Sequence, residues 1–179
     1  MLHNSGTDTN RLFAFLREVE KKLNHEIKLV AVGGTAMTLL GLKLSTIDID
    51  FTGPGRDIEA FKKAEQALHH GYRVDSRPDG QVFAVMLPDD YLSKSVLLQS
   101  DLKKIELHAL SFVDIVITKA ARLNERDWQD VEACVSKGNL TEKQILERKA
   151  KVEYAGSEEA FDTNIRLIIK RFLRERTRR

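Results

Sequence analysis

The stretch Val30–Asp50, VAVGGTAMTLLGLKLSTIDID, constrains what this chain can fold into more than any other. Lys28–Val32 reads as a short apolar strand. Gly33-Gly34 breaks it, and Thr35–Leu40 reads as a short apolar helix ended by Gly41. Two glycines where a strand meets a helix let backbone N–H groups approach an anion, and the helix dipole adds to that preference. Thr46–Thr52 then alternates as a strand does, with Ile47, Ile49 and Phe51 on one side and Thr46, Asp48, Asp50 and Thr52 on the other. Alternation puts Asp48 and Asp50 on one face, roughly 7 Å apart at Cα. Two carboxylates that close repel each other unless a cation lies between them. Hard oxygen ligands suit Mg2+ or Mn2+, and such a pair can serve an in-line phosphoryl displacement. Singly, each feature has an ordinary meaning: a Gly-Gly is a turn, and an Asp-x-Asp is the solvated face of a half-buried sheet. Together, one short helix apart, they point to a phosphate site.

The surroundings predict an α/β (α+β) fold with a mixed β-sheet and flanking helices. Thr9–Leu23 is amphipathic, with Asp8 or Thr9 as its cap, and Asp57–His70 is a second helix closed by Gly71. Tyr72–Val74 and Gln81–Leu87 flank the turn residues Ser76-Arg77-Pro78-Asp79-Gly80 and are expected to pair as a hairpin. Lys103–Leu110 is a further strand. Ser111 then caps a helix running to about Leu123. Arg126–Ser136, a segment from Leu140-Thr141 to about Tyr154, and Glu158–Arg174 complete an all-helical C-terminal part. The expected organisation is a core over residues 1–110 with the helical part, 111–179, packed on it. With no linker between them, one continuous domain is expected.

Composition narrows the class. With 179 residues, 42% of them hydrophobic, there is material for one real core. No apolar run approaches the ~18–20 residues that span a bilayer, so no membrane partner is expected. Met1–Asn10 has no apolar signal region, and the single cysteine, Cys134, forms no intramolecular disulfide; a cytoplasmic location is expected. Cys134 reads as core packing, His69-His70 as a solvated helix end, and Trp128 as a packing anchor or the border of a base-stacking site. Charge is uneven, since Arg166–Arg179 holds seven Lys/Arg and one Glu. That tail is either an electrostatic arm for nucleic acid or a solvated helix end whose cations complement the macrodipole.

Gly33-Gly34-Thr35-Ala36, a short helix, then Thr46-x-Asp48-x-Asp50, resembles the opening motif of the nucleotidyltransferase fold of the polymerase beta superfamily. The segment from Phe112 to Val131, carrying Asp114, Lys119, Arg122, Arg126, Asp127 and Asp130, resembles AbiEii-type nucleotidyltransferases. Those are the toxin halves of type IV toxin–antitoxin systems, with small prokaryotic relatives. The resemblance covers about residues 28–135 and implies transfer of a nucleotidyl group from a nucleoside triphosphate to a hydroxyl. It implies Asp48 and Asp50 as the metal pair for Mg2+ or Mn2+, and Gly33, Gly34 and Thr35 lining the triphosphate. Thr46 would contact a phosphate, Lys119 would supply a fixed positive charge, and Asp127 would complete the site. The fold usually carries a third carboxylate on a later strand. Glu106 is the candidate, on one face with His108, although a solvent-facing glutamate fits that pattern equally. The acceptor implied is an RNA 3′ end, such as a tRNA-like end reached through the basic tail, or a protein hydroxyl; an antitoxin is an implied protein partner. Two other readings stay open: a non-catalytic nucleotide- or partner-binding module, and a metal-dependent phosphohydrolase.

Overall fold

A computed structural model describes residues 6–175. In chain order its elements are α1 (Thr9–Glu20), β1 (Ile27–Ala31), α2 (Gly33–Leu39), β2 (Ile49–Gly53), α3 (Gly55–Gln66), β3 (Val74–Pro78), β4 (Gln81–Val82), β5 (Val85–Met86), α4 (Tyr91–Lys94), β6 (Val96–Leu97) and β7 (Ile105–Ala109), followed by α5 (Phe112–Ala120), α6 (Glu125–Lys137), α7 (Glu142–Lys149), β8 (Glu153–Tyr154), α8 (Glu158–Ile169) and a π-helical segment Lys170–Arg174. The fold is α+β, as expected. Its residues group into two compact units. One runs up to Gly80 and includes Leu92–Leu110; the other combines Gln81–Tyr91 with the residues from Ser111 on.

The first unit is built on a mixed sheet of order β3-β2-β1-β7-β6. The central strand β1 is apolar almost throughout, with Ile27, Leu29, Val30 and Ala31 buried, as a strand covered on both faces requires. It pairs antiparallel with β2 and parallel with β7. Helix α1 turns Leu12, Phe15, Leu16 and Val19 inward, and the Asp8 carboxylate accepts from the Arg11 amide to cap it.

Two sequence expectations are corrected here. β3 does not form a hairpin with the segment after Gly80. It pairs in parallel with β2 after the α3 crossover, in a βαβ unit. β2 starts at Ile49 rather than Thr46, and Ile47 is 52% exposed, so the apolar side of the expected alternation does not extend to it.

The second unit is mostly helical. α5 is buried at seven of its nine positions and is capped by Ser111, whose hydroxyl accepts from the Asp114 amide. Its residues from 111 on are not all helical, however. β8 joins β4 and β5 in a small antiparallel sheet of order β4-β5-β8, where a helix to Tyr154 was expected. Tyr154 is held by its hydroxyl, which donates to the Ala121 carbonyl at 2.9 Å. Among the described residues no helix is long and apolar enough to cross a membrane.

Candidate functional site

Asp50 lies on β2 and Asp48 in the bend that leads into it, two residues apart along the chain, so the strand alternation expected to put both on one face begins only after Asp48. Asp48 is 45% exposed as a side chain, yet its Oδ1 is shut off from solvent and accepts no hydrogen bond. Arg73 Nε lies 3.2 Å from that oxygen but out of line for hydrogen bonding, and Arg73 is itself largely exposed. The guanidinium is therefore the cation that this closed-off oxygen faces, at ion-pair distance but without a hydrogen bond.

The segment holding this pair is fixed by threonines. Thr35 is fully buried; its hydroxyl donates to the Asp48 carbonyl at 3.2 Å and accepts from the Asp50 amide at 2.9 Å. The Thr46 hydroxyl donates to the same Asp48 carbonyl at 2.8 Å. Thr46 is in turn bridged to Thr7 by two backbone bonds, of 2.6 and 3.0 Å. Each hydroxyl has one proton to donate. With those protons committed to Asp48, Thr35 and Thr46 position the acidic segment; in this arrangement they do not donate to a phosphate.

The two glycines act differently. Gly33 has φ +53° and its missing side chain leaves room beside Asp50, whose Oδ2 would lie 3.7 Å from a Cβ there. A Cβ on Gly34 would lie 2.6 Å from Thr46 Oγ1, so Gly34 lets helix α2 close against the loop. Gly34→Ala is therefore expected to destabilise the protein by about 1–3 kcal/mol through overpacking. Thermal unfolding of the variant tests this, and a melting temperature equal to wild type would free Gly34 from its packing role.

Sheet register separates the expected carboxylates. Val30 pairs with Thr52 and with His108, and Lys28 pairs with Glu106, so Lys28, Val30, Asp50, Thr52, Glu106 and His108 share one face. Asp50 is level with Val32, whose amide donates to its carbonyl. Glu106 is therefore about 13 Å further along the sheet and two strands across. The structure does not bring Glu106 to the Asp pair. Glu106 instead pairs with Lys28 Nζ at 2.9 Å and His108 Nε2 at 2.9 Å, and those hydrogen bonds, His108 first, hold its carboxyl below the usual range. The carboxylate that the sheet sets beside Asp50 is Asp75, its register partner on β3, which is ion-paired to Arg77. Sequence alone does not show this neighbour, because Asp75 follows the expected strand Tyr72–Val74 and reaches Asp50 only through the parallel β2–β3 pairing. No group of three or more His, Cys, Asp or Glu suited to a metal is present among the described residues, so any cation here would rest on the Asp48–Asp50 pair.

Lys119 and Asp127 belong to the second unit and are buried there. Lys119 Nζ lies 3.1 Å from Asp127 Oδ1 and 2.7 Å from Asp130 Oδ2. Arg122 grips the same Asp127 through Nε and Nη2, at 3.1 and 3.2 Å. Asp127 also closes the capping box of α6 with Asn124. The ammonium expected to meet a triphosphate is thus neutralised by two carboxylates within its own unit. A second ion-pair group ties Arg148 to Asp114, Nη2 to Oδ2 at 2.9 Å, and to Asp90. Cys134 is fully buried, and burial pushes its thiol up to about 12, so it stays protonated and packs as an apolar group. His70 is not simply solvated: its Nε2 meets Glu65 at 2.7 Å and its ring packs edge-on to Phe15.

Residues 10–171 match the model of a family described as "Nucleotidyltransferase of unknown function (DUF6036)". No curated protein and no solved structure matches the chain.

Proposed function

The chain belongs to this family of nucleotidyltransferases of unknown function, and from that premise we propose that it moves a nucleotidyl group from a nucleoside triphosphate to a hydroxyl acceptor with the help of a divalent cation at Asp48 and Asp50. The observation that carries the proposal is Asp48 Oδ1, closed to solvent and without a hydrogen bond, faced at ion-pair distance by the exposed Arg73 guanidinium and two residues from Asp50, which lies beside the Gly33 turn. In the reaction the acceptor oxygen forms a bond to the α-phosphorus. The bond from that phosphorus to the bridging oxygen breaks, the hydroxyl proton is released, and pyrophosphate leaves. A bound Mg2+ or Mn2+ would supply the charge neutralisation that phosphoryl transfer needs.

The chain's own residues hold and aim the site. Asp48 and Asp50 provide the anionic oxygens. Thr35 and Thr46 fix the backbone between them through the Asp48 carbonyl. Gly33 keeps side-chain bulk away from Asp50. Lys119 and Asp127 form a charged framework between α5 and α6; a triphosphate contact by Lys119 would break two buried ion pairs, and the proposal requires none. The acceptor is an RNA end or a protein hydroxyl. Of the basic tail, Arg174 is engaged with Glu142, and residues 176–179 lie outside the described residues.

Calorimetric titration with each of ATP, CTP, GTP and UTP tests the binding half of this proposal. At least one is expected to bind in Mg2+ or Mn2+ and to lose most of its affinity in EDTA. Equal affinity in EDTA would detach the Asp pair from triphosphate binding.

A further inference from the structure

The loop between β4 and β5 consists of two residues, Phe83 and Ala84, with Val82 paired to Val85. Phe83 has φ +52°, whereas Ala84 does not have a positive φ. That is the pattern of a type II′ turn, whose first loop position prefers glycine. A bulky aromatic residue there is strained. Burial does not offset the strain, because Phe83 is 53% exposed. Strain without burial is the kind of outlier that concentrates at ligand sites.

A second, independent observation points to what the ligand is. The guanidinium of Arg122 lies 4.8 Å from the Phe83 ring centroid. Arg122 is held by two hydrogen bonds to Asp127, and Asp127 is itself buried and anchored by Lys119. The ring and the guanidinium therefore form a platform fixed before any ligand arrives, which lowers the entropy lost on binding. A groove of about 300 Å³ opens beside Phe83, with Gln81, Met86, Glu153 and Tyr154 among the residues lining it. That size takes a single small group. Gln81 offers an amide donor and acceptor, and Glu153 an acceptor, to the edge of a flat heterocycle. All of these residues belong to the second unit.

We propose that the Phe83–Arg122 pair is a stacking platform for an unpaired base of single-stranded RNA. An aromatic ring backed by a fixed guanidinium recognises π-faces with little regard to base identity. The platform deepens the transfer reading by making RNA the acceptor class. It rests on that reading only for the choice of RNA as substrate, not for the binding itself.

Binding is read without catalysis, by fluorescence anisotropy of a labelled 12-nucleotide single-stranded RNA titrated with the full chain. Phe83→Gly is expected to weaken RNA binding by about 10-fold or more. Its melting temperature should not fall, because glycine suits the turn. The log–log salt slope should stay unchanged, since the substitution removes no charge. Phe83→Leu, which keeps apolar bulk without a π-face, should lose affinity as well, and Phe83→Trp should retain it. Wild-type affinity in the glycine or leucine variant would overturn the platform, as would an absence of RNA binding by the wild type. A loss confined to free ATP binding, with RNA binding intact, would overturn the assignment to RNA. If no nucleotide is incorporated into any acceptor but the anisotropy results hold, the transfer reading fails while the platform stands.

Discussion

Asp127→Ala is expected to lower the stability of the protein by about 3–5 kcal/mol, as breaking a buried ion pair does. The change strands Lys119 Nζ, 4% exposed as a residue, with Asp130 as its one remaining partner. It also removes both hydrogen bonds to Arg122 and the side-chain half of the α6 capping box. At roughly 2–4 °C per kcal/mol for a chain of this size, the melting temperature should fall well outside experimental scatter. The pH dependence has a definite sign. Burial pushes the Asp127 carboxyl up, but the Lys119 charge and the hydrogen bonds from Arg122, Lys119 and the Asn124 amide outweigh it and leave the group below its ordinary value. A depressed folded value means stability that is present above the unfolded pKa, about 3.9, and lost as pH falls through the folded one. Asp127→Asn should therefore flatten the acid limb of the stability profile below about pH 4. An acid limb unchanged in that variant would contradict the role given to Asp127.

Asp48→Asn together with Asp50→Asn should reduce nucleotidyl transfer by at least ~10³-fold, the scale of losing a principal electrostatic contributor. The double variant keeps the side-chain volumes and leaves the Thr35 and Thr46 hydrogen bonds to the backbone in place, so it should fold, at the loss of the exposed Asp48–Arg73 ion pair. Mg2+ should raise the melting temperature of the wild type and not that of the variant. Identical metal responses in the two proteins would count against the site.

How much of this was legible depended on the range of the interactions. Helix α1 and strand β1 were readable because each carries its own periodicity, and the caps Asp8 and Ser111 announce their helices locally. The Asp48–Asp50 pair was readable because glycine turn, short helix and carboxylates lie within about twenty residues of one another. Asp75 was not, since its place beside Asp50 arises from a parallel pairing made through the α3 crossover. Lys119, Arg122, Asp127 and Asp130 were visible as a motif, but a motif does not say whether an ammonium faces a ligand or two carboxylates. Glu106 failed as a third carboxylate for a register reason: alternation gave its face correctly but not its distance along the sheet. Strand β8 was hidden because two residues carry no period. What sets it is non-local: the pairing of Glu153 and Tyr154 with Met86 and Val85, and the Tyr154 hydroxyl bonded to the Ala121 carbonyl. Phe83 was missed because a turn residue identifies itself by φ, and sequence shows only that it is aromatic.

The most direct test of the central claim is the identity of the product. Wild type and the Asp48→Asn, Asp50→Asn variant are incubated with Mg2+, α-labelled nucleoside triphosphates and single-stranded RNA, and the products are separated. The account predicts label joined to the acceptor, one pyrophosphate released per nucleotide added, and both lost in the variant. Release of inorganic phosphate without incorporation, or incorporation that survives in the variant, would contradict it.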